Sequence, residues 1–455
     1  MDAVGQGNKE IMGHHAIDRR TFLRGAGTVA LATAVHSTPL TADLEPSTVQ
    51  PKDGRYDFDT IFNRIGTNSS KWDQQIALYG REHIDVGMGT ADQDFKAAPA
   101  ITRALRARLE HENYGYEPIP DSYLKSIVDW HDRRHGLKID PQTIRHSPGV
   151  NPALLSTLRA LCPPQSKVLV LGPSYGAFYN HIRNIGAVLE ESPLRFVDGR
   201  YEIDFDDFER RIDYDVRAFI LCNPHNPIGK VWSPEDLMRL GEICTRRRVV
   251  VLSDEIHCDF VTTGNTYTPY AALDNEEIVR NSITYKSVSK AFNLSSMRCA
   301  YLFSTNQEYL DRTTKQLSQG INTLALVAAE AAYNESEEWL NQLVEYIDGT
   351  HDLVKSFVRT NMPYVEYVKV EGTYLVWLDV REALDKIGAT QLVATTDAST
   401  PELAFQQHLI DHANIHINAG SNYGPSGSGR MRMNIATSRQ LVELALNNMA
   451  AALSQ

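Results

Sequence analysis

The sequence predicts an α/β protein: a mostly parallel sheet covered by helices on both faces, with a second, smaller lobe. Three observations carry that expectation. From about Tyr56 onward, short β-rich apolar runs alternate with charged stretches of helical period, the pattern of successive βαβ units. At 455 residues the chain is longer than one hydrophobic core usually serves. Conspicuous polar residues (Asn226, Asp254, Lys290) stand just after apolar runs, and in parallel sheets ligands gather at the carboxyl ends of strands.

Taken in order, the chain opens on "DRRTFLRGAGTVALATAV", in which Arg19 and Arg20 precede Phe22, Leu23, Arg24 and a small-residue stretch from Gly25 to Val35. Leu40-Thr41-Ala42 would suit cleavage, so residues 1–42 read as a twin-arginine export signal, with an amphipathic helix as the competing reading. Export of a folded enzyme would place it outside the cytoplasm; otherwise it stays there. Residues 43–55 read as a linker, and 56–90 as a segment packing with the smaller lobe.

The larger lobe is expected over 91–330. "KVLVLG" (167–172), "AFILCNP" (218–224), "VVVLSDE" (249–255), "NSITYKS" (281–287) and "CAYLF" (299–303) are its strands. In "SPEDLMRLGEICTRRR", Ser233 followed by Glu235 and Asp236 marks a helix start. After Leu324 a long helical pattern leads into the smaller lobe, 331–455. There "TYLVWLDV" and "RMRMNIA" supply strands and "RQLVELALNNMAAAL" a closing helix.

Composition narrows the function classes. A net charge of -12 argues against a nucleic-acid partner, which needs clustered positive charge. No apolar run is long enough to span a bilayer. The five cysteines show no paired spacing, hence no disulfide framework. His257, Cys258 and Asp259 could suggest a metal site, but three adjacent residues on an extended strand point to alternate faces and cannot converge on one ion. No metal is expected.

The chemistry lies in "SVSKAFNLSSMRCAY", Ser287 to Tyr301. An aldehyde cofactor such as pyridoxal phosphate needs a lysine to carry it as a Schiff base and to move a proton at the substrate α-carbon. It needs a carboxylate against the pyridine nitrogen, a donor at the ring hydroxyl, an aromatic face, and amides, hydroxyls and an arginine for the phosphate. Lys290 suits the first role and Asp254 in "SDEIH" the second. Asn226 in "NPHNPIGKVW" suits the ring hydroxyl and Tyr175 in "GPSYGAFY" the stacking face. Ser287, Ser289 and Arg298, with Gly149, Val150 and Asn151 opening a helix in "SPGVNPALL", suit the phosphate. A binding or regulatory module without catalysis would be expected to lack Lys290 or Asp254, and both are present.

"CNPHNPIGKVW", "SDEIHCDF", "SKAFNL", "ADQDF" and "NYGYEPIP" together resemble the class I/II aminotransferase family of fold-type-I pyridoxal-phosphate enzymes, and within it the cystathionine β-lyase (C–S lyase) branch. The resemblance implies a seven-stranded, mostly parallel large domain, a small C-terminal domain, and a homodimer with shared active sites. It further implies that Tyr116 reaches the cofactor phosphate of the partner subunit, that His257 lies by the ring hydroxyl, and that Arg432 binds the substrate carboxylate. A guanidinium fork independently suits a carboxylate, although Arg430, two residues earlier on the same strand face, competes for that role.

Two reactions share this apparatus. The histidine of "SDEIH" and the "CNPHNP" strand end favour β-elimination from an L-amino acid; the alternative is amino transfer to a 2-oxo acid. Arg298 is more aminotransferase-like, and Gln93 stands in "ADQDF" where the lyase branch leads one to expect methionine. A cyclase or oxidase on the same scaffold is a third possibility.

Overall fold

A computed structural model describes residues 53–317 and 320–454. The expected export signal and all but the last residues of the linker lie outside them. Among the described residues no helix is long and apolar enough to cross a membrane.

The strands, in chain order, are β1 (Val86–Gly87), β2 (Ile144–Ser147), β3 (Lys167–Gly172), β4 (Val188–Pro193), β5 (Arg195–Val197), β6 (Arg200–Glu202), β7 (Val216–Cys222), β8 (Val250–Asp254), β9 (Ser282–Ser287), β10 (Ala300–Phe303), β11 (Leu375–Asp379), β12 (Ile415–His416), β13 (Asn418–Ala419) and β14 (Arg430–Asn434). Seven form one sheet in the order β2-β10-β9-β8-β7-β3-β4. Only β10 runs against its neighbours; the other pairings, β3 with β4 and β7, and β8 with β7 and β9, are parallel. The fold is therefore α/β with a mostly parallel seven-stranded sheet.

Burial on both faces explains why its strands read as unbroken apolar runs rather than alternating ones. Val168, Val170, Ile220 and Leu252 face a core shared with the helices Val150–Leu161 and Gly176–Asn184. Leu169, Leu171, Phe219 and Val251 face the opposite core, closed by the helix Pro234–Arg247. That helix begins as expected: the Ser233 side chain accepts from the Asp236 amide at 3.0 Å, with Pro234 in its first turn. It lies so close to its neighbours that a Cβ on Gly241 would meet Ile278 Cγ2 at 2.3 Å.

The long helical pattern after Leu324 forms two helices, Thr323–Glu335 and Glu337–Asn361, divided at Ser336. A second sheet, β11-β14-β13, is antiparallel. Its apolar face (Val376, Leu378, Met431, Met433) shares a core with the helices Pro401–Ala413 and Arg439–Ser454 and with Trp72, Val86 and Met88. Strand β1 pairs in parallel with β12. All five cysteines are buried and unpaired.

Candidate active site

Strands β7, β8 and β9 end side by side, and the side chains they deliver line one cavity of about 540 Å³. Asp254 is the last residue of β8 and is buried, with the Ile256 amide donating to its Oδ1 at 3.1 Å. Loss of water pushes its carboxyl up to about 7, against the pull of the Ile256 amide. Lys290 follows β9 on a short helical turn, Val288–Ala291, whose N-terminus Ser287 caps. Its Nζ donates to the Ala91 carbonyl at 2.7 Å. Burial, and then the Arg432 cation, hold the amine down to about 8, so part of it is neutral near physiological pH.

Asn226 lies beyond the end of β7 and uses its Oδ1 to accept from Arg432 Nη1 at 3.1 Å. Arg432 also donates to the Gly89 carbonyl at 2.8 Å and lies 4.8 Å from the centre of the Tyr423 ring. Its Nε is buried with no partner among the described residues. Arg430 takes a different course: it pairs with Asp379 and lines a separate groove with Phe196. The strand register thus brings Arg432, not Arg430, to the cavity.

His257 is buried, and desolvation, helped by the Lys290 and Arg432 charges, lowers it well below the ordinary histidine range. It is neutral, with Nδ1 unpartnered. Tyr175 lines the cavity at the start of the helix Gly176–Asn184. Gly149, Val150 and Asn151 line it at the N-terminus of the 12-residue helix Val150–Leu161. Ser289 and Arg298 complete that side.

Two expected residues are elsewhere. Ser287 does not line the cavity: its hydroxyl donates to the Cys299 carbonyl at 2.7 Å and accepts from the Ser289 amide at 3.0 Å, so it supports Ser289 instead. Tyr116 is fully exposed, on an irregular segment, and does not enter the cavity of its own chain. Other lining residues went unassigned in the sequence reading. Ser295 and Ser296 stand within the stretch that betrayed Lys290. Asn418, Asn422 and Tyr423 come from the region of the small sheet, where no local signal marks them.

Thr90, Ala91 and Asp92 also line the cavity. Their loop is held by its own carbonyls: Asn418 donates to Gly89, Asn434 to Thr90 and Asp92, and Tyr374 to Ala91. Behind it Lys71 pairs with Asp94 at 2.7 Å and Arg64 with Asp92 at 3.0 Å.

Residues 256–259 form a turn and not the expected extended strand, so Cys258 and Asp259 do converge, and with His135 in place of His257, their candidate ligand atoms within 4.8 Å of one another. Cations already hold two of these atoms: Lys286 donates to the Cys258 sulfur at 3.4 Å, and Arg134 pairs with Asp259 at 2.9 Å. The cluster belongs to an ion-pair network in which Lys286 also pairs with Glu255 at 2.8 Å.

The donor set fits pyridoxal phosphate. One end offers helix amides, hydroxyls and a guanidinium to an anion; the other offers an acid whose raised pKa signals an anion lacking a cationic partner. A partly neutral lysine and an unpaired imidazole nitrogen lie on the same cavity.

A fold of this topology, with an amine, an acid and a guanidinium gathered at its strand ends, defines a class of enzyme. The sequence model of aminotransferase class I and II matches residues 83–448, and the chain belongs to that family. It is similar to cystathionine beta-lyase PatB of Bacillus subtilis (strain 168), with 36% identity over 87% of this chain and 100% of the relative. Among solved structures it is similar to cystalysin of Treponema denticola, which contains a pyridoxal 5'-phosphate cofactor; identity is 29%, TM-score 0.81, and 88% of this chain and 99% of that one are covered. It is also similar to the PLP-bound C-S lyase of Staphylococcus hominis, at 30% identity and TM-score 0.78, over 88% of this chain and 99% of that one.

Proposed function

We propose that the chain is a pyridoxal-phosphate-dependent C–S lyase, which removes a thiol from the β-carbon of an L-amino acid. The observation that carries this is the convergence of Lys290, Asp254 and Arg432 on one cavity. The bound cofactor supplies an electron sink for charge left on the α-carbon. The helix start at Gly149–Asn151, with Ser289 and Arg298, would hold its phosphate; Asp254 would serve its ring nitrogen, Tyr175 its ring face, and Asn226 and His257 its ring hydroxyl. Arg432, already fixed by Asn226 and Gly89, orients the substrate carboxylate. Lys290 Nζ, on the same cavity, would take and return the α-proton.

Elimination is favoured because PatB is named a cystathionine beta-lyase and the Staphylococcus hominis protein a C-S lyase. Amino transfer remains the second reading, favoured by the family's own description and by Arg298 on the cavity wall. Product analysis with L-cystathionine, with and without a 2-oxo acid, separates them. Pyruvate, ammonia and free thiol without the oxo acid establish the lyase. Turnover only when the oxo acid is added, with a new amino acid formed, establishes the aminotransferase. The proposal includes a homodimer in which Tyr116 serves the partner's site, and export through residues 1–42; a reporter fused to those residues that stays in the cytoplasm would rule the export out.

A further inference from the structure

We propose that Gln93 is a positioning residue for Lys290: its side-chain amide clamps the lysine's own carbonyl and fixes the backbone from which the amine swings. The inference rests on Lys290 carrying the cofactor. Gln93 is fully buried and does not line the cavity, so it is no pocket wall for a leaving group. Its Nε2 donates to the Lys290 carbonyl at 2.6 Å. Reversing the amide would set two acceptor oxygens against each other at that distance, so the orientation is forced.

The opposite side of Gln93 is held as tightly. Asn293, three residues after Lys290, accepts from the Gln93 amide at 3.0 Å and donates to the Gln93 carbonyl at 2.9 Å. It does so from a left-handed backbone, φ 55°. Arg64 donates to the same carbonyl at 2.9 Å. Two residues earlier in this loop, the Ala91 carbonyl accepts from Lys290 Nζ at 2.7 Å. One short loop therefore holds Lys290 at both ends: the carbonyl by a side-chain amide, the amine by a backbone oxygen.

The clamp has a cost. Gln93 Oε1 is buried without a hydrogen-bond partner among the described residues, and a buried unmet acceptor lowers stability. Methionine, the residue the resemblance leads one to expect here, would fill a similar volume with no unmet oxygen. An amide kept at that cost, bonded to the one residue whose swing the chemistry needs, acts on the swing. Because Gln93 is outside the cavity, its loss should reach the proton-transfer step and not substrate binding.

The test uses the full chain loaded with cofactor and compares Gln93→Met, Asn293→Gly and Lys290→Ala. Glycine accepts the left-handed backbone at 293, so that variant folds even if the first does not. Three readouts are taken: α-hydrogen exchange of L-alanine in deuterated water, the pH titration of the visible absorbance, and the Tm of each cofactor-free variant. The other charged or titratable groups on the cavity, namely Arg432, Arg298, Asp92, Asp254, His257, Tyr175, Tyr423 and Cys222, are unchanged in the Gln93 and Asn293 variants. Gln93→Met is expected to slow saturated exchange roughly tenfold, with KM within about twofold, since misplacing a reacting group costs rate rather than affinity. The absorbance midpoint should shift, and Tm should change little, because the unmet oxygen disappears while the Lys290 carbonyl loses its donor. Asn293→Gly should slow exchange in the same way. Wild-type exchange and titration in both variants, or a lower Tm with exchange unchanged, would overturn the inference. If Lys290→Ala keeps the visible absorbance, the reading beneath it fails and the inference with it. If Lys290→Ala loses the absorbance while the Gln93 and Asn293 variants behave as wild type, only the inference fails.

Discussion

Asp254 and Lys290 are displaced toward each other on the pH scale by the same cause, burial, acting on opposite charges. In the cofactor-free chain the Asp254 carboxyl keeps its proton up to about pH 7, against an ordinary aspartate value of 3.8. Folding therefore takes up a proton between those values, and this group's contribution to stability falls as pH rises through that window. Asp254→Asn removes the slope, so the Tm of the variant relative to wild type should climb from pH 4 to 7; a constant difference would show that the carboxyl is not so perturbed. Arg432→Ala should raise KM for an amino-acid substrate by the loss of a charge-assisted pair, about 1.5–3 kcal/mol or some tenfold and more. Arg430→Ala should leave KM alone, because that guanidinium is committed to Asp379 in a separate groove. The reverse result would place substrate in the wrong groove here.

Elements show where local signals suffice. The five apolar runs read from the sequence all became strands of the seven-stranded sheet, four of them central and parallel and β10 antiparallel. The two left out, β2 and β4, are its edges; water reaches their side chains, and "IRHS" and "VLEESP" carry no apolar run to reveal them. The helix Pro234–Arg247 was legible at its start because the cap, the proline and the acidic turn are all local. Ser233→Ala should cost about 1 kcal/mol of stability, the typical loss for an N-cap hydroxyl, seen as a lower denaturant midpoint with unchanged slope. An unchanged midpoint would mean that the Asp236 amide is satisfied by water.

At the scale of the whole molecule, the cavity takes residues from about Ser70 to Arg432, so it exists only once both sheets have formed. Tyr116 is the one sequence-assigned site residue far outside it, exposed to solvent. If that ring completes a partner's site, mixing Tyr116→Ala with Lys290→Ala, each inactive alone, should restore about a quarter of wild-type activity, because half the dimers are hybrid and each carries one intact site. No recovery after subunit exchange would confine each site to a single chain.

What the sequence determined by itself was the alternation that makes the α/β sheet, and the lysine, acid, arginine and helix start that cofactor chemistry demands. These were readable because each follows a strand end or a cap, within a few residues of its own cause. The resemblance favours Arg432; only the tertiary structure sends Arg430 to a separate groove, turns Ser287 away from the cavity, draws His135 to Cys258 and Asp259, and sets Gln93 against the Lys290 carbonyl. Each of those outcomes depends on which residue of a strand or turn meets an element far away in the chain, or on a hydrogen bond that closes locally before a ligand can claim it. Spacing along the chain holds no record of that meeting; packing decides it.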